Sequence, residues 1–523
     1  ILGKNLSGME IDPRAAQIAN LALAMCAREH DRRFFGRGVQ ADVLVVAPTK
    51  FQRDEAGCVI ELPEDAAIMA DQQFIDALEH LDEVGSLLNP TEAQLAALRA
   101  DANRFASEAG GSSLFKSNLG EKLQDALRMC EALARKFDCV VANPPYMGSS
   151  SFSPFMSKWI KKNYPDVKSD LFSSFIVRIM DYANEHGEAG IMCPFVWMFI
   201  GSYEKLREKM INEKTITSLI QLEYSGFAGA TVPICTFTFH NGYVDGYKGG
   251  YVRLSDFVGA AVQAPKTREA IANPDCGYFY RRDADTFKQI PGTPIAYWAS
   301  DALLKDFEVA GELGAYVNMP YGFKTGDNDT FLRLWWECSH GKECYDCQSY
   351  EESRTNGIDW FAYNKGGQFR RWYGNNDFVL LFREGGSKVI GRAKEDGRSA
   401  AEYAHDLMFK PTVTWSRISS GKLAMRYYPS GSLNDMTGPG YFADEQTLEL
   451  LQALCNSIII EVVAELLSPT LDFQPGQISS YPVIEVGEQR QQVAVGVNDC
   501  RTLSKLDWDS FETSWDFKRH PLV

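Results

Sequence analysis

The tetrapeptide Asn143-Pro144-Pro145-Tyr146 combines the residue types needed to hold a planar amino group. Proline lacks an N–H and holds φ at about −65°, so the carbonyl groups beside the two prolines remain free acceptors. Together with the Asn143 amide oxygen, such a carbonyl offers two acceptors to one NH2 group, and Tyr146 offers a flat face to its ring. That is a receptor for the exocyclic amine of a base flipped out of a duplex. A tight turn after a strand is the alternative, because Asn-Pro and Pro-Pro are common in turns.

The elements before the tetrapeptide would place it where α/β sheets bind ligands. Residues 137–142 form a continuous apolar run, which predicts a strand buried on both faces that ends at Asn143. Another strand is predicted within residues 5–11, followed by a helix from Pro13 to about His30 with Asp12 as its N-cap. Ligands of open α/β sheets bind beyond the carboxyl ends of strands, so both strand ends are candidate positions for a site.

Strands and helices alternate up to about residue 245, which predicts a doubly wound α/β domain. Thr91 and Gln94 indicate a capping box inside its helical insertion, and a later helix is predicted to end at Gly187. Beyond residue 245, glycines, aromatic residues and short strands indicate a mixed α+β domain. The predicted parts are 1–245 for the α/β domain with an acidic helical insertion at about 51–135, 246–309 for a connecting region, 310–485 for the mixed domain and 486–523 for a carboxyl-terminal extension.

The charge of the chain is divided between an acidic and a basic region. The 523 residues hold 53 Lys/Arg and 69 Asp/Glu, a formal net charge of −16, which taken alone argues against a nucleic-acid ligand. Residues 51–100 hold 11 Asp/Glu against two Lys/Arg, whereas residues 361–430 hold 12 Lys/Arg against six Asp/Glu. No apolar run approaches the roughly 20 residues that cross a bilayer, and 12 scattered cysteines predict reduced thiols and a cytoplasmic protein without membrane contact.

The basic region interleaves cations with aromatic side chains, a pattern that favours a nucleic-acid surface. A solvated basic face is the alternative that composition alone allows. The residues assigned to binding in this region are Lys365, Arg370, Arg371, Trp372, Arg417 and Lys422.

A cluster of soft ligands, Cys338, His340, Cys344 and Cys347, has one short Cys-x-x-Cys spacing of the kind that binds zinc. A second well-spaced pair is missing from the sequence, so zinc binding stays open here and no metal is assigned.

The quoted motifs resemble those of the amino-group DNA methyltransferases of the adenine-N6 type. Asn143-Pro144-Pro145-Tyr146 looks like their catalytic motif, and the segment from Gly8 to Ala16 resembles the one that ends their second strand. The resemblance implies a Rossmann-like fold that depends on S-adenosylmethionine, with Glu10 at the ribose hydroxyls of that cofactor and Ile11 beside it. It also implies cofactor contacts for Asp170, in Ser169-Asp170-Leu171-Phe172, and for Asp42.

Further segments extend the resemblance over nearly the whole chain. Residues 224–227 are similar to the loop that holds the flipped base, which assigns Phe227 to the base pocket. Residues 322–328, which contain Lys324, and residues 363–367 and 372–376 resemble the target-recognition half of the PglX methyltransferases of bacteriophage-exclusion systems. The resemblance implies duplex DNA as a partner, other phage-defence subunits as further partners, and Lys324 as a DNA contact.

The family's glycine-rich cofactor motif precedes the strand that ends at Glu10 and is not in this sequence. We therefore expect the chain to be the carboxyl-terminal part of a longer enzyme. The implied activity is methyl transfer from S-adenosylmethionine to adenine N6. A fused restriction–modification enzyme, an inactive DNA-binding defence component, and an RNA or protein-glutamine methyltransferase remain the alternatives.

Overall fold

A computed structural model shows the chain as two compact units. The first contains residues 1–197 and 205–284, and the second contains residues 198–204 and 285–523. The structure describes the chain except residues 1, 109–113, 225, 227–231, 321, 396–404, 420–421, 468–471, 485, 521 and 523.

The first unit alternates strands and helices around the inserted helices. Its elements are β1 (Ser7–Glu10), α1 (Pro13–His30), β2 (Asp42–Val45), α2 (Gln72–Glu79), α3 (Leu81–Val84), α4 (Glu92–Glu108), α5 (Leu114–Leu133), β3 (Phe137–Ala142), α6 (Pro154–Asn163), α7 (Leu171–Tyr182), β4 (Ala183–Pro194), α8 (Glu204–Glu213), β5 (Thr215–Gln221), β6 (Ile234–His240), β7 (Lys248–Arg253), α9 (Ala260–Ala272) and β8 (Phe279–Asp283).

The second unit is built from short strands and helices. Its elements are α10 (Asp301–Val309), β9 (Gly311–Glu312), α11 (Asn328–Phe331), β10 (Leu332–Leu334), β11 (Glu343–Cys344), α12 (Tyr350–Thr355), β12 (Trp360–Asn364), β13 (Phe378–Leu381), α13 (Arg383–Glu395), β14 (Thr412–Thr414), β15 (Arg426–Tyr428), β16 (Ser432–Asn434), β17 (Gly440–Tyr441), α14 (Glu445–Cys455), α15 (Ile458–Leu467), α16 (Pro475–Ser479), β18 (Pro482–Val483) and α17 (Arg490–Trp508).

Two sheets organise the first unit. Strands β1 and β2 pair in parallel with Glu10 opposite Val45, and a six-stranded mixed sheet has the order β3-β4-β6-β5-β7-β8. Strands β7 and β8 fall in the region that the sequence predicted as a connection; they extend this sheet because β7 pairs in parallel with β5.

Strand β3 has the predicted bounds, but it is not buried on both faces as its apolar sequence predicted. It ends the six-stranded sheet and pairs only with β4 in the described part of the chain. Cys139 and Val141 lie on the same face of the strand, and both are exposed, Val141 to 79%.

Local sequence signals placed several helix ends correctly. Helix α1 begins at Pro13 and ends at His30, and Asp12 caps it by accepting from the Arg14 N–H at 2.8 Å. Thr91 and Gln94 form the predicted reciprocal capping box. The prediction that α7 ends at Gly187 is wrong: the helix ends at Tyr182, and Gly187 lies within β4, because the chain passes directly from helix to strand.

The guanidinium of Arg178 joins α7 to the inserted helices. Its side chain is buried, with 1% of the residue exposed, and it stacks over the ring of Tyr182 at 3.7 Å. It donates to the carbonyl oxygens of Ser86 at 2.9 Å and Leu88 at 3.0 Å, and also to that of Leu133 at the end of α5. A buried cation needs such acceptors, so these three carbonyls fix the insertion against α7.

Among the described residues of the second unit, buried apolar side chains form two hydrophobic cores. One surrounds Trp415 and Tyr441 and includes the buried faces of α14 and α15. The other surrounds β12 and β13 and contains Phe361 and Phe382. Helix α17, predicted as an extension, packs on α14, where the buried Arg501 donates to Gln452 Oε1 at 2.7 Å.

In the described part of the chain no single helix is long and apolar enough to cross a membrane. Only α14 and α15 reach that composition as a pair, and they are bent by 76° at the break between them.

Replacing Arg178 by methionine should lower the free energy of unfolding by about 2–4 kcal/mol, because the buried carbonyls of Leu88 and Leu133 lose their donor and that of Ser86 keeps only the Tyr182 hydroxyl. Urea unfolding followed by circular dichroism measures the change. Arg99→Met is the matched control: Arg99 pairs with Glu131 at the surface, and its loss should cost at most about 1 kcal/mol. An R178M midpoint equal to that of R99M would contradict the anchoring role.

Candidate active site

The tetrapeptide Asn143-Pro144-Pro145-Tyr146 begins directly after β3, as the sequence predicted. Pro144 is buried, whereas the other three residues are exposed. In the described part of the chain no donor reaches the Pro144 carbonyl. The Tyr146 hydroxyl lies 3.1 Å from Asn143 Oδ1, to which it donates, and 3.4 Å from the carbonyl oxygen of Met192 on β4.

Partial removal of the hydroxyl from water and, to a smaller extent, the nearby thiols of Cys193 and Cys235 together raise the pKa of Tyr146 to about 12. The hydroxyl is therefore protonated at neutral pH and acts as a donor. Its two acceptors, Asn143 Oδ1 and the Met192 carbonyl, compete for one proton.

Asp170 connects the segment after the motif to α7. Its Oδ1 accepts from the backbone N–H of Phe172 at 3.2 Å, which caps the helix, and from the N–H of Met147 at 3.2 Å. Burial raises the pKa of this carboxyl group, and the hydrogen bonds from those backbone groups oppose the rise.

Glu10 is the last residue of β1, at the carboxyl end of the two-stranded sheet. Its Oε1 accepts from the N–H groups of Ile11 at 2.8 Å and Asp12 at 3.0 Å, which fixes the direction of the side chain. Its Oε2 has no hydrogen-bond partner among the described residues. Ile11 is half exposed beside it.

Asp42 lies at the other end of the same sheet. It begins β2, pairs in register with Ser7, and forms an ion pair with Arg135 at 3.0 Å. Three residues of strand, about 10 Å, separate its register from that of Glu10. The structure therefore does not bring Asp42 and Glu10 together, and the rule that ligands bind at carboxyl strand ends points instead to the residues after Val45.

Phe227, assigned to the base pocket, lies outside the described residues. The preceding part of the same loop is described: Gln263 Oε1 accepts from the Glu223 N–H at 3.2 Å, and Gln263 Nε2 donates to the Gly259 carbonyl. Sequence reasoning did not find Gln263, because a single buried glutamine carries no motif.

The basic residues assigned to DNA are mostly engaged in ion pairs. Glu461 on α15 binds Arg371 and Lys422, each at 2.5 Å. The other pairs are Lys365–Asp435 at 3.1 Å, Arg370–Asp507 at 2.8 Å and Arg417–Asp472 at 2.8 Å.

Lys324 and Trp372 differ from that pattern. Lys324 is exposed and has no ion-pair partner among the described residues. Trp372 is half-buried and has φ of 72°, a left-handed backbone conformation that is uncommon for a bulky residue. Its backbone is held by Met425 and Tyr427, whose groups bond its N–H and carbonyl at 2.8 and 2.7 Å.

The cysteine cluster gives the zinc hypothesis no support. Within the residues that the structure describes, no three His, Cys, Asp or Glu side chains are arranged to hold a metal ion. Cys344 and Cys347 are buried together, and the hydrogen bond between them lowers the pKa of Cys344 and raises that of Cys347.

The chain is similar to known proteins in sequence and in fold, and these similarities agree with the geometry described above. Residues 4–227 match the Eco57I restriction-modification methylase family. The whole chain is 32% identical to the adenine-specific methyltransferase PglX of Lacticaseibacillus casei (strain Zhang) and 29% identical to the adenine-specific methyltransferase BrxX of Escherichia coli O9:H4 (strain HS). It spans 44% of the length of each of these relatives.

Among solved structures, the type IIL restriction-modification enzyme MmeI in complex with DNA aligns with a TM-score of 0.52 and 11% identity, over 98% of this chain and 59% of MmeI. At that identity the likeness concerns the fold. The resemblance seen in the motifs is confirmed: the chain is similar over its whole length to the adenine-specific methyltransferases PglX and BrxX, its residues 4–227 match the Eco57I restriction-modification methylase family, and its fold is the α/β fold of such methyltransferases.

Proposed function

We propose that this chain is part of a site-specific DNA methyltransferase that transfers a methyl group from S-adenosylmethionine to adenine N6. The observation that carries the proposal is the tetrapeptide at the carboxyl end of β3, where Asn143 Oδ1 and the carbonyl of Pro144 lie next to each other in the chain. Kinship with PglX and BrxX supports adenine as the target base.

The motif would act by positioning and by electrostatics. Two N6 hydrogens would be accepted by Asn143 Oδ1 and the Pro144 carbonyl, which favours a tetrahedral nitrogen with its lone pair free. Held in this way, the lone pair would be directed at the methyl carbon of bound S-adenosylmethionine, whose sulfur would keep the electrons of the broken carbon–sulfur bond, and N6 would lose one proton to solvent. The ring of Tyr146 would stack on the adenine. Its hydroxyl would then break the hydrogen bond to Asn143 Oδ1 and donate to the Met192 carbonyl instead.

S-adenosylmethionine would supply the electrophilic methyl group. Glu10 fits its ribose hydroxyls, because one carboxylate oxygen is fixed by two backbone N–H groups and the other is unpaired in the described part of the chain. Ile11 would contact the cofactor from the next position. Asp42 lies at the far end of the sheet from Glu10, so its assignment as a cofactor contact has the least support.

Duplex DNA is the proposed partner, with contacts from the basic residues of the second unit. The restriction-modification enzyme MmeI was solved with DNA, which supports this partner by analogy of fold. Host self-marking in phage defence, together with other defence subunits, is the biological role that we propose.

Asn143→Ala in the complete reading frame that contains this chain should abolish N6-methyladenine in the DNA of a methylation-free host, because one of the two acceptors for N6 is lost. Single-molecule sequencing maps the modified sites. In the strain with the wild-type protein, one sequence motif should carry N6-methyladenine, and in the N143A strain the same motif should be unmethylated. Methylation of the motif in the N143A strain would contradict the mechanism. Duplex binding without methylation in either strain would favour an inactive DNA-binding component.

Tyr146→Phe should keep kcat/KM within about tenfold of wild type, since the ring that stacks on the base remains and the hydroxyl is displaced in the complex. Tyr146→Ala should lose about 10- to 100-fold, because base stacking on an aromatic ring contributes about 1–3 kcal/mol. Steady-state methylation of a duplex oligonucleotide measures both. Equal losses in the two variants would show that the hydroxyl, and not the ring, carries the effect.

Lys324→Ala should weaken DNA binding and reduce the slope of log K against log salt by about one, because this unpaired cation is free to bind a phosphate. Arg417→Ala is the matched comparison: it removes a two-point pair with Asp472 and should lower the Tm as well. Fluorescence anisotropy at several salt concentrations and thermal unfolding supply the data. An unchanged salt slope with K324A would remove Lys324 from the interface.

A further inference from the structure

We infer that Asp170 is a positioning residue for the catalytic tetrapeptide, a role distinct from the cofactor contact that its motif implied. The inference rests on the proposed function and goes beyond it by naming what holds the motif in place. Its basis is the pair of hydrogen bonds that one carboxylate oxygen receives from Met147, directly after the motif, and from Phe172 in the first turn of α7.

The motif depends on its neighbours because it supplies few backbone donors of its own. Pro144 and Pro145 have no N–H groups, so neither can anchor the chain by donating a hydrogen bond. The N–H of Met147, the residue that follows Tyr146, reaches the carboxylate of Asp170 at 3.2 Å. That bond is therefore the side-chain anchor nearest to the reacting groups on this side of the motif.

Backbone pairing strengthens the same junction. Leu171 N–H donates to the Met147 carbonyl at 3.0 Å, Ser149 N–H donates to the Ser169 carbonyl at 2.9 Å, and Gly148 and Asp170 form an isolated antiparallel bridge. These bonds keep the segment beside α7 when the carboxylate is changed. The carboxylate adds the side-chain link between this segment and the first turn of α7, so its loss leaves the segment free to shift at the end next to the motif.

Helix α7 is a fixed support for this junction. Arg178 ties it to three carbonyls of the inserted helices, and Asn241 Nδ2 donates to the carbonyls of Met180, Ala183 and Asn184 at its carboxyl end. Asp170 thus transmits the position of a well-anchored helix to the motif. A displacement of about 1 Å at reacting atoms costs up to about 100-fold in rate.

Two substitutions separate this role from helix capping and from cofactor binding. Asp170→Ser keeps a capping oxygen for the Phe172 N–H, but its side chain is one bond shorter and does not reach Met147 as well. Asp170→Asn keeps an oxygen of the same reach and removes only the charge. Both are made in the complete reading frame, with wild type and N143A as activity references, and kcat, KM for S-adenosylmethionine and Tm are measured.

We expect D170S to lower kcat about 10- to 100-fold with an unchanged KM for S-adenosylmethionine and a Tm near that of wild type, and D170N to restore kcat to within about threefold. A rise in the KM for S-adenosylmethionine at unchanged kcat would overturn the inference in favour of a cofactor ligand. A D170N as slow as D170S, a fully active D170S, or a D170S that does not fold would also overturn it. Wild type without methylation would instead count against the proposed function.

Discussion

The buried guanidinium of Arg178 is the constraint around which the first unit is arranged. A charged group out of water requires hydrogen-bond partners, and here they are carbonyls from two places in the insertion, Ser86 and Leu88 on one side and Leu133 on the other. The insertion thereby becomes part of the structure that supports α7. Because Asp170 at the start of α7 holds Met147, the acidic insertion and the motif are mechanically connected.

Within the tetrapeptide, the Asn143 side-chain oxygen is hydrogen-bonded in the absence of a base, whereas the Pro144 carbonyl receives no donor from the described residues. Asn143 Oδ1 accepts from Tyr146, so the acceptor intended for an amino group does not stay unpaired. The Met192 carbonyl stands near enough to receive the same proton afterwards. Exchange of one hydrogen bond for another changes the free energy little, so a base bound as proposed would compete for Asn143 at little cost.

The second unit neutralises its own cations. A chain with a net charge of −16 concentrates positive charge in residues 361–430, and carboxylates from α15 and α17 then pair with it. Glu461 alone serves Arg371 and Lys422. In the proposed DNA complex a phosphate would have to replace such a carboxylate, which would reduce attraction to DNA of any sequence and favour correctly placed contacts.

Local signals in the sequence determined the elements and the position of the motif. Asp12 and Pro13 set the start of α1, Thr91 and Gln94 formed their capping box, and the apolar run ending at Asn143 became β3, because caps and strand runs depend on neighbours in the chain. Tertiary structure decided which residues distant in sequence lie next to each other. It made β3, which contains the exposed Val141, the edge strand of the six-stranded sheet.

The ion-pair partners of the charged side chains could not be predicted from the sequence either. Arg370 meets Asp507 across 137 positions, and Asp42 pairs with Arg135 at the end of the sheet opposite Glu10. An ion pair is selected by distance in space, which composition and spacing do not encode. The sequence by itself therefore determined the motif and the strand end at which it lies, and only the tertiary structure decided which groups hold that motif in place.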